Sequence, residues 1–88
     1  MNDDTIDAVR TALRQYLADS SSASTLQAAL LSMASEAREK SILPEHLLIV
    51  LKDVWNGLPE VRSMSDTAEQ VRVLQRVVTM CIKEYYSG

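Results

Sequence analysis

The sequence predicts an all-α fold, a small four-helix bundle, and three observations support this prediction. Only two of the 88 residues are glycine and two are proline, and so few turn-forming residues disfavour a many-stranded sheet. Four segments carry apolar residues at spacings of three and four, the helical period. The connectors are short, which favours antiparallel neighbours. We predict a single helical domain over residues 1–88, with helices at about 4–18, 25–40, 44–56 and 67–86.

The first helix is predicted from an apolar stripe and from acidic residues at its start. Asp3, Asp4 and Asp7 lie in or just before the first turn, where the helix dipole favours negative charge. Asn2, Asp3 or Asp4 can cap this end. The residues expected to face the core are Ile6, Val9, Leu13, Tyr16 and Leu17.

The second helix follows a serine-rich loop, ADSSSAS, at residues 18–24. Serine competes for backbone hydrogen bonds and therefore favours loops and helix starts. Ser24 with Gln27 three residues later predicts a capping box. The helix is expected to end near Lys40, whose charge suits a helix C-terminus. Its predicted buried face comprises Leu26, Leu30, Met33 and Ala37.

The third helix contains the most apolar stretch of the chain, PEHLLIVLKDVW, at residues 44–55. Pro44 is suited to a first helical turn, and Gly57 and Pro59 predict its end. The apolar residues span nearly half of the helix circumference, which suits a helix wedged between two or more neighbours. Ile49 is the exception, because it falls among polar residues on the opposite side.

The fourth helix is expected to be the longest and to carry two apolar stripes. Residues 58–65 form the connector, and Asp66 with Glu69 predicts a second capping box. The main stripe contains Val71, Leu74, Val78, Cys81, Ile82 and Tyr85. The second stripe, interpreted as lying on the opposite side, contains Val73, Val77 and Met80.

Composition and charge exclude several classes of function. The net charge is −3, and no segment is basic enough to follow a nucleic-acid backbone. The chain lacks an apolar run long enough to span a membrane, and its acidic N-terminus lacks a signal-peptide pattern. The single cysteine, Cys81, allows neither an internal disulfide nor a metal pair. We therefore expect a cytoplasmic protein without a metal, a cofactor or a small-molecule substrate.

Two residues suggest carrier or phosphotransfer chemistry. His46 resembles the phosphoacceptor of histidine phosphotransfer domains, but those carry a lysine and a small residue soon after the histidine. Here Leu47 and Leu48 follow instead. Asp19-Ser20-Ser21 resembles the Asp-Ser-Leu motif of acyl carrier proteins without its leucine. The simpler interpretation is a surface histidine and a serine loop, because fold-level analogy is weak evidence of function.

The remaining polar residues give no catalytic set. Arg72, Arg76 and Lys83 line one side of the last helix, where they either bind phosphate or form a solvated face. Cys81 lies on an apolar stripe and is expected to behave as a small hydrophobe. The apolar third helix lacks the polar side chains that a DNA-reading helix needs. We predict that the protein is not an enzyme.

The surplus of apolar surface predicts an interaction module. Either the other helices bury both stripes of the last helix, or the second stripe binds another chain, a copy or a different protein. The predicted interface contains Val73, Val77, Met80, Ile49 and Tyr86. We expect a regulatory or adaptor module that binds a protein partner or forms a homodimer. The alternative is a carrier or phosphotransfer-type helical domain.

Overall fold

The computed structural model describes residues 2–87, apart from the side chains of Ser20 and Ser87. Within this range the fold is all-helical, as predicted, with four long helices, one short helix and no strand. The long helices begin and end within two residues of their predicted bounds. The helices are α1 (Asp3–Ala18), α2 (Ala23–Glu39), α3 (Pro44–Asn56), α4 (Pro59–Arg62) and α5 (Thr67–Ser87).

The four long helices surround one core. The α2 helix packs against α1 and α5, and α3 packs against the same two helices from the other side. The order around the core is therefore α1, α2, α5, α3. Lys52, near the end of α3, lies beside Val71 and Thr79 of α5, whereas Ile42, just before α3, accepts a hydrogen bond from Tyr85 near the end of α5. The α3 and α5 helices therefore run antiparallel.

Several helix ends are capped as the sequence predicts. The Asn2 side chain accepts a hydrogen bond of 2.9 Å from the Asp4 N–H, which satisfies one unpaired donor of α1. Asp66 accepts a bond of 3.0 Å from the Ala68 N–H before α5. Pro44 occupies the first turn of α3. At the end of this helix the Gly57 N–H donates a hydrogen bond of 3.1 Å to the Asp53 carbonyl.

The start of α2 differs from the prediction. Asp19 accepts a bond of 3.0 Å from the Ser21 N–H and begins a 3₁₀ turn at Ser20–Ser22, which leads directly into α2 at Ala23. The predicted capping box of Ser24 and Gln27 is therefore wrong. Gln27 instead donates to the Glu84 carboxylate on α5 at 3.0 Å, a long-range contact that local spacing does not reveal.

The end of α2 adopts a Schellman motif. The Ile42 N–H bonds to the Ala37 carbonyl at 2.8 Å, and the Ser41 N–H bonds to the Arg38 carbonyl at 3.2 Å. Ser41 has a φ of 58°, in the left-handed region that glycine usually occupies at this position. The chain therefore reverses sharply between α2 and α3 without a glycine.

The core is apolar and draws on every helix. Leu13 of α1, Leu30 of α2 and Leu47 of α3 have no exposed surface. Val61 of the short helix α4 packs in the same core, and so does Val77 of α5, which is fully buried. Among the described residues, no polar or charged residue is buried. The fold is therefore stabilised by apolar packing, with its charged groups at the surface.

Candidate interaction surface

The structure changes the assignment of the two stripes on α5. Val77, the centre of the predicted interface stripe, has no exposed surface, and Val73 and Met80 pack partly buried against the core. This corrects the prediction for Val77, whose side chain is not available to a partner. At about 100° per residue, Val77 and Cys81 lie only about 40° apart. The two predicted stripes are thus parts of one broad face, and Val77 lies near its middle.

The surplus apolar surface lies on the other flank of α5. Val71 was predicted to be core, yet 48% of its surface is exposed. Leu74, Val78 and Ile82 are half-buried, and only Cys81 of the predicted main stripe is fully buried. Val73 and Met80 on the opposite flank are half-buried as well, so Val71 is the one residue of the two predicted stripes that is exposed rather than half-buried or buried.

An open groove runs between α3 and α5 at this flank, and we call it the apolar groove. Its apolar wall comes from α5, and Lys52 of α3 lies at its edge. The residues that line it are Lys52, Val71, Leu74, Gln75, Val78 and Thr79. A groove with apolar walls and a charged edge suits an amphipathic segment of a partner.

A second depression, the basic groove, lies on the adjacent side of α5. It is lined by Arg72, Gln75, Arg76, Thr79, Met80 and Lys83. Gln75 and Thr79 line both grooves, so the two depressions adjoin along the ridge that these residues form. We call the two grooves together the outer face of α5. The Thr79 hydroxyl donates to the Gln75 carbonyl at 2.8 Å, so this ridge between the grooves is internally bonded.

The cations of the outer face differ from the other basic residues in their partners. Arg14 and Lys40 pair with Glu60 and Glu36, at 2.9 and 3.0 Å. Within the described residues, the side chains of Lys52, Arg72 and Lys83 make neither an ion pair nor a hydrogen bond. The outer face therefore carries positive charge that no described carboxylate neutralises.

Arg76 is the one cation of the outer face with a described partner. Its Nη1 donates to the Tyr16 hydroxyl of α1 at 3.2 Å. This hydrogen bond raises the pKa of the Arg76 guanidinium. The contact is to a neutral group, so the charge of Arg76 remains uncompensated there.

The other two predicted interface residues are exposed. Ile49 has 65% of its surface exposed and lies one turn before Lys52 on α3. Tyr86 is 69% exposed, and its ring makes an edge-on contact with Tyr85, with centroids 5.2 Å apart. Their exposure agrees with the sequence, and their role in binding stays a prediction. Two further exposed apolar residues, Leu31 and Leu43, were not singled out from the sequence.

The candidates for chemistry are not brought together. His46 is exposed in the first turn of α3 and has no hydrogen bond to the described residues. The side chain of Ser20 lies outside the described part of the structure. Cys81 is buried, and burial raises the pKa of its thiol to about 11, so little thiolate exists near neutral pH.

The described part of the chain shows neither a cluster of metal ligands nor a membrane-spanning helix. Residues 2–87 include no group of three or more His, Cys, Asp or Glu side chains placed to hold a metal ion. In the same range, no helix combines the length and the apolar character that crossing a bilayer requires. Neither result assigns a function.

These features define a class of small all-α bundle with one open, partly apolar and basic helix face. Comparisons with protein-family models, with curated proteins and with solved structures give no match to this chain.

Proposed function

We propose that this protein is a small helical interaction module that binds another protein through the outer face of α5. The observation that supports the proposal is the apolar groove, in which Val71 is 48% exposed beside the half-buried Leu74 and Val78. These three side chains lie next to one another on α5, unlike scattered surface leucines.

The apolar surface that the groove leaves in water favours contact with a partner. Covering apolar surface contributes roughly 25 cal/mol per Å², so a partner that fills the groove gains from the exposed parts of all three residues. Side chains that are already half-buried lose less conformational freedom on binding than mobile ones do. Burial of the groove by a partner is thus energetically favourable.

Two charge-introducing variants test the proposal. Val71→Glu places a carboxylate in the groove, and Leu31→Glu is the matched control on α2, because Leu31 is 45% exposed. Both variants are checked for unaltered helicity and thermal stability. Tagged forms are then expressed in the native cell and cross-linked, and the partners retained by each form are compared by quantitative mass spectrometry.

The proposal predicts a partner that is retained by the wild type and by Leu31→Glu but lost by Val71→Glu. If the partner is a second copy, light scattering over a concentration series shows a dimer that only Val71→Glu dissociates. A wild-type monomer whose retained proteins are the same in both variants would overturn the proposal.

The carrier or phosphotransfer alternative has its own readout. It predicts an added mass on Ser20 after treatment with a phosphopantetheinyl transferase, or on His46 after treatment with a histidine kinase and ATP. An unmodified intact mass in both reactions contradicts that alternative.

A further inference from the structure

We infer that the partner segment is an acidic amphipathic helix that lies along the outer face of α5. This inference rests on the proposed function and names the chemistry of its partner. It is carried by the adjacency of an apolar groove and a basic one, and by the cations without an ion pair on both sides of the apolar groove.

The charge distribution is the first step. The protein is acidic, with a net charge of −3, yet four of its nine basic residues lie on this one face. Lys52 stands on the α3 side, and Arg72, Arg76 and Lys83 stand on the other. Glu69 lines a neighbouring depression with Arg76 and forms no described ion pair with it. Positive potential is therefore concentrated where the rest of the surface is negative.

The arrangement of the apolar residues is the second step. Val71, Leu74 and Val78 lie between the two sets of cations. From Val71 to Lys83 the helix rises about 18 Å, which matches a partner helix of about 12 residues. A helix with an apolar stripe at spacings of three and four, and with carboxylates on both sides of it, complements this pattern. Such a segment fills the groove and brings its carboxylates towards Lys52 on one side and, across the ridge of Gln75 and Thr79, towards the long side chains of Arg72 and Lys83 on the other.

Charge also decides against a second copy as the occupant. A two-fold contact of α5 with α5 brings Arg72, Arg76 and Lys83 of one chain close to the same residues of the other. Like charges at such a contact oppose association. The acidic helix of the chain itself, α1, has its apolar residues Val9 and Leu13 fully buried, so it has no stripe to offer.

Peptide binding tests the inference directly. The probe is a fluorescein-labelled helical peptide with leucines at helical spacing and glutamates on both sides, and its Kd is measured by fluorescence anisotropy. Two matched peptides replace the glutamates by glutamine or the leucines by serine. A single-stranded DNA of equal charge serves as a polyanion without an apolar stripe. All four are measured at low and at physiological salt.

Two double variants of the protein locate the site. Arg72→Gln with Lys83→Gln removes two charges from the outer face, and Arg10→Gln with Lys40→Gln removes the same charge from α1 and from the end of α2. The acidic peptide should bind the first variant about fivefold more weakly than the wild type, and the second within about twofold, with binding weakened by salt. The serine peptide should not bind.

Several results would overturn the inference. The first two are an acidic peptide that does not bind the wild type, and one that binds it no more tightly than the glutamine peptide does. The other two are an equal loss of peptide affinity in the two double variants, and single-stranded DNA that binds as tightly as the acidic peptide. Each leaves the proposed function to be decided by Val71→Glu and Leu31→Glu. A glutamine peptide that binds the wild type and fails on Val71→Glu would keep the apolar groove as an interface and remove only the acidic character of the partner.

Discussion

The Tyr85 hydroxyl donates a hydrogen bond of 2.8 Å to the backbone carbonyl of Ile42. The two residues lie 43 positions apart, so the bond joins the end of α5 to the connector between α2 and α3. It ties the C-terminal end of α5 to the chain just before α3, in addition to the apolar packing that positions the helix.

Tyr85→Phe should destabilise the fold by about 1 kcal/mol, because it leaves a partly buried carbonyl without its hydrogen bond. Tyr86→Phe is the matched control, since Tyr86 is exposed and its hydroxyl has no described hydrogen bond. Its effect should stay within about 0.5 kcal/mol. Urea denaturation monitored by circular dichroism gives both values, and equal losses would contradict the assigned role of Tyr85.

Ser41→Gly should stabilise the protein by about 0.5 kcal/mol. The serine holds a φ of 58°, a conformation that costs a residue with a Cβ atom about 1 kcal/mol or more and costs glycine little. The gain is reduced by the greater freedom of glycine in the unfolded chain. Ser41→Ala keeps the Cβ atom and should give no gain, so thermal melting of the two variants isolates the backbone effect. A glycine variant that melts no higher than the alanine variant would refute it.

The corrected assignment of α5 predicts opposite outcomes for two valines. Val77→Ala should cost about 2 kcal/mol, because it leaves a cavity where the side chain has no exposed surface. Val71→Ala should change the stability by less than about 0.5 kcal/mol, since the residue is 48% exposed and alanine favours helix. Chemical denaturation of the isolated variants measures both. A larger loss at Val71 than at Val77 would restore the original assignment of the stripes.

Glu36 should contribute to stability in a pH-dependent way. The Thr5 hydroxyl, the Lys40 ammonium and the Asn2 N–H stabilise its carboxylate and lower its pKa from 4.5 to about 2. A lowered pKa in the folded state means that the contribution is complete above pH 4.5 and is lost as the pH falls towards 2.

Comparison with Glu36→Gln isolates this carboxylate from the other acids, which titrate in both proteins. The difference in unfolding free energy between wild type and Glu36→Gln should be largest at neutral pH and should shrink in acid. A difference that stays constant from neutral pH to pH 2 would show that ionisation of Glu36 does not stabilise the fold.

The Cys81 thiol should resist alkylation in the native protein. It has no exposed surface, and burial raises its pKa to about 11. Iodoacetamide at mildly alkaline pH should leave the folded chain unmodified and should alkylate it fully in denaturant, as read by intact mass. Rapid native modification with retained helicity would show that this part of the core opens readily.

Local signals in the sequence account for most of the fold. Asn2, Asp66 and Pro44 mark helix starts because their side chains act on backbone groups only a few residues away. The cap of α2 was predicted incorrectly because Asp19 begins a 3₁₀ turn before the helix, and because the Gln27 side chain bonds to Glu84 of α5. The local spacing of residues does not predict a hydrogen bond between side chains that lie 57 positions apart.

The surface was harder to predict than the fold, for a related reason. The apolar residues of α5 occupy more than half of the helix circumference. The periodicity of the sequence predicts the width of this face, but it does not predict which part of the face the other helices bury. Tertiary packing decides this, and it buries Val77 while it leaves Val71 half-exposed. Ile49 and Tyr86 were correctly predicted to be exposed because each differs in face from its apolar neighbours.

The central claim is that the outer face of α5 is the binding surface, and backbone amide chemical-shift mapping tests it most directly. The isotope-labelled protein is titrated with the acidic amphipathic peptide. We predict shifts that cluster at Lys52 and along residues 71–83, with residues around Leu31 unchanged. Shifts centred on α1 and α2, or shifts spread evenly over the chain, would contradict the account.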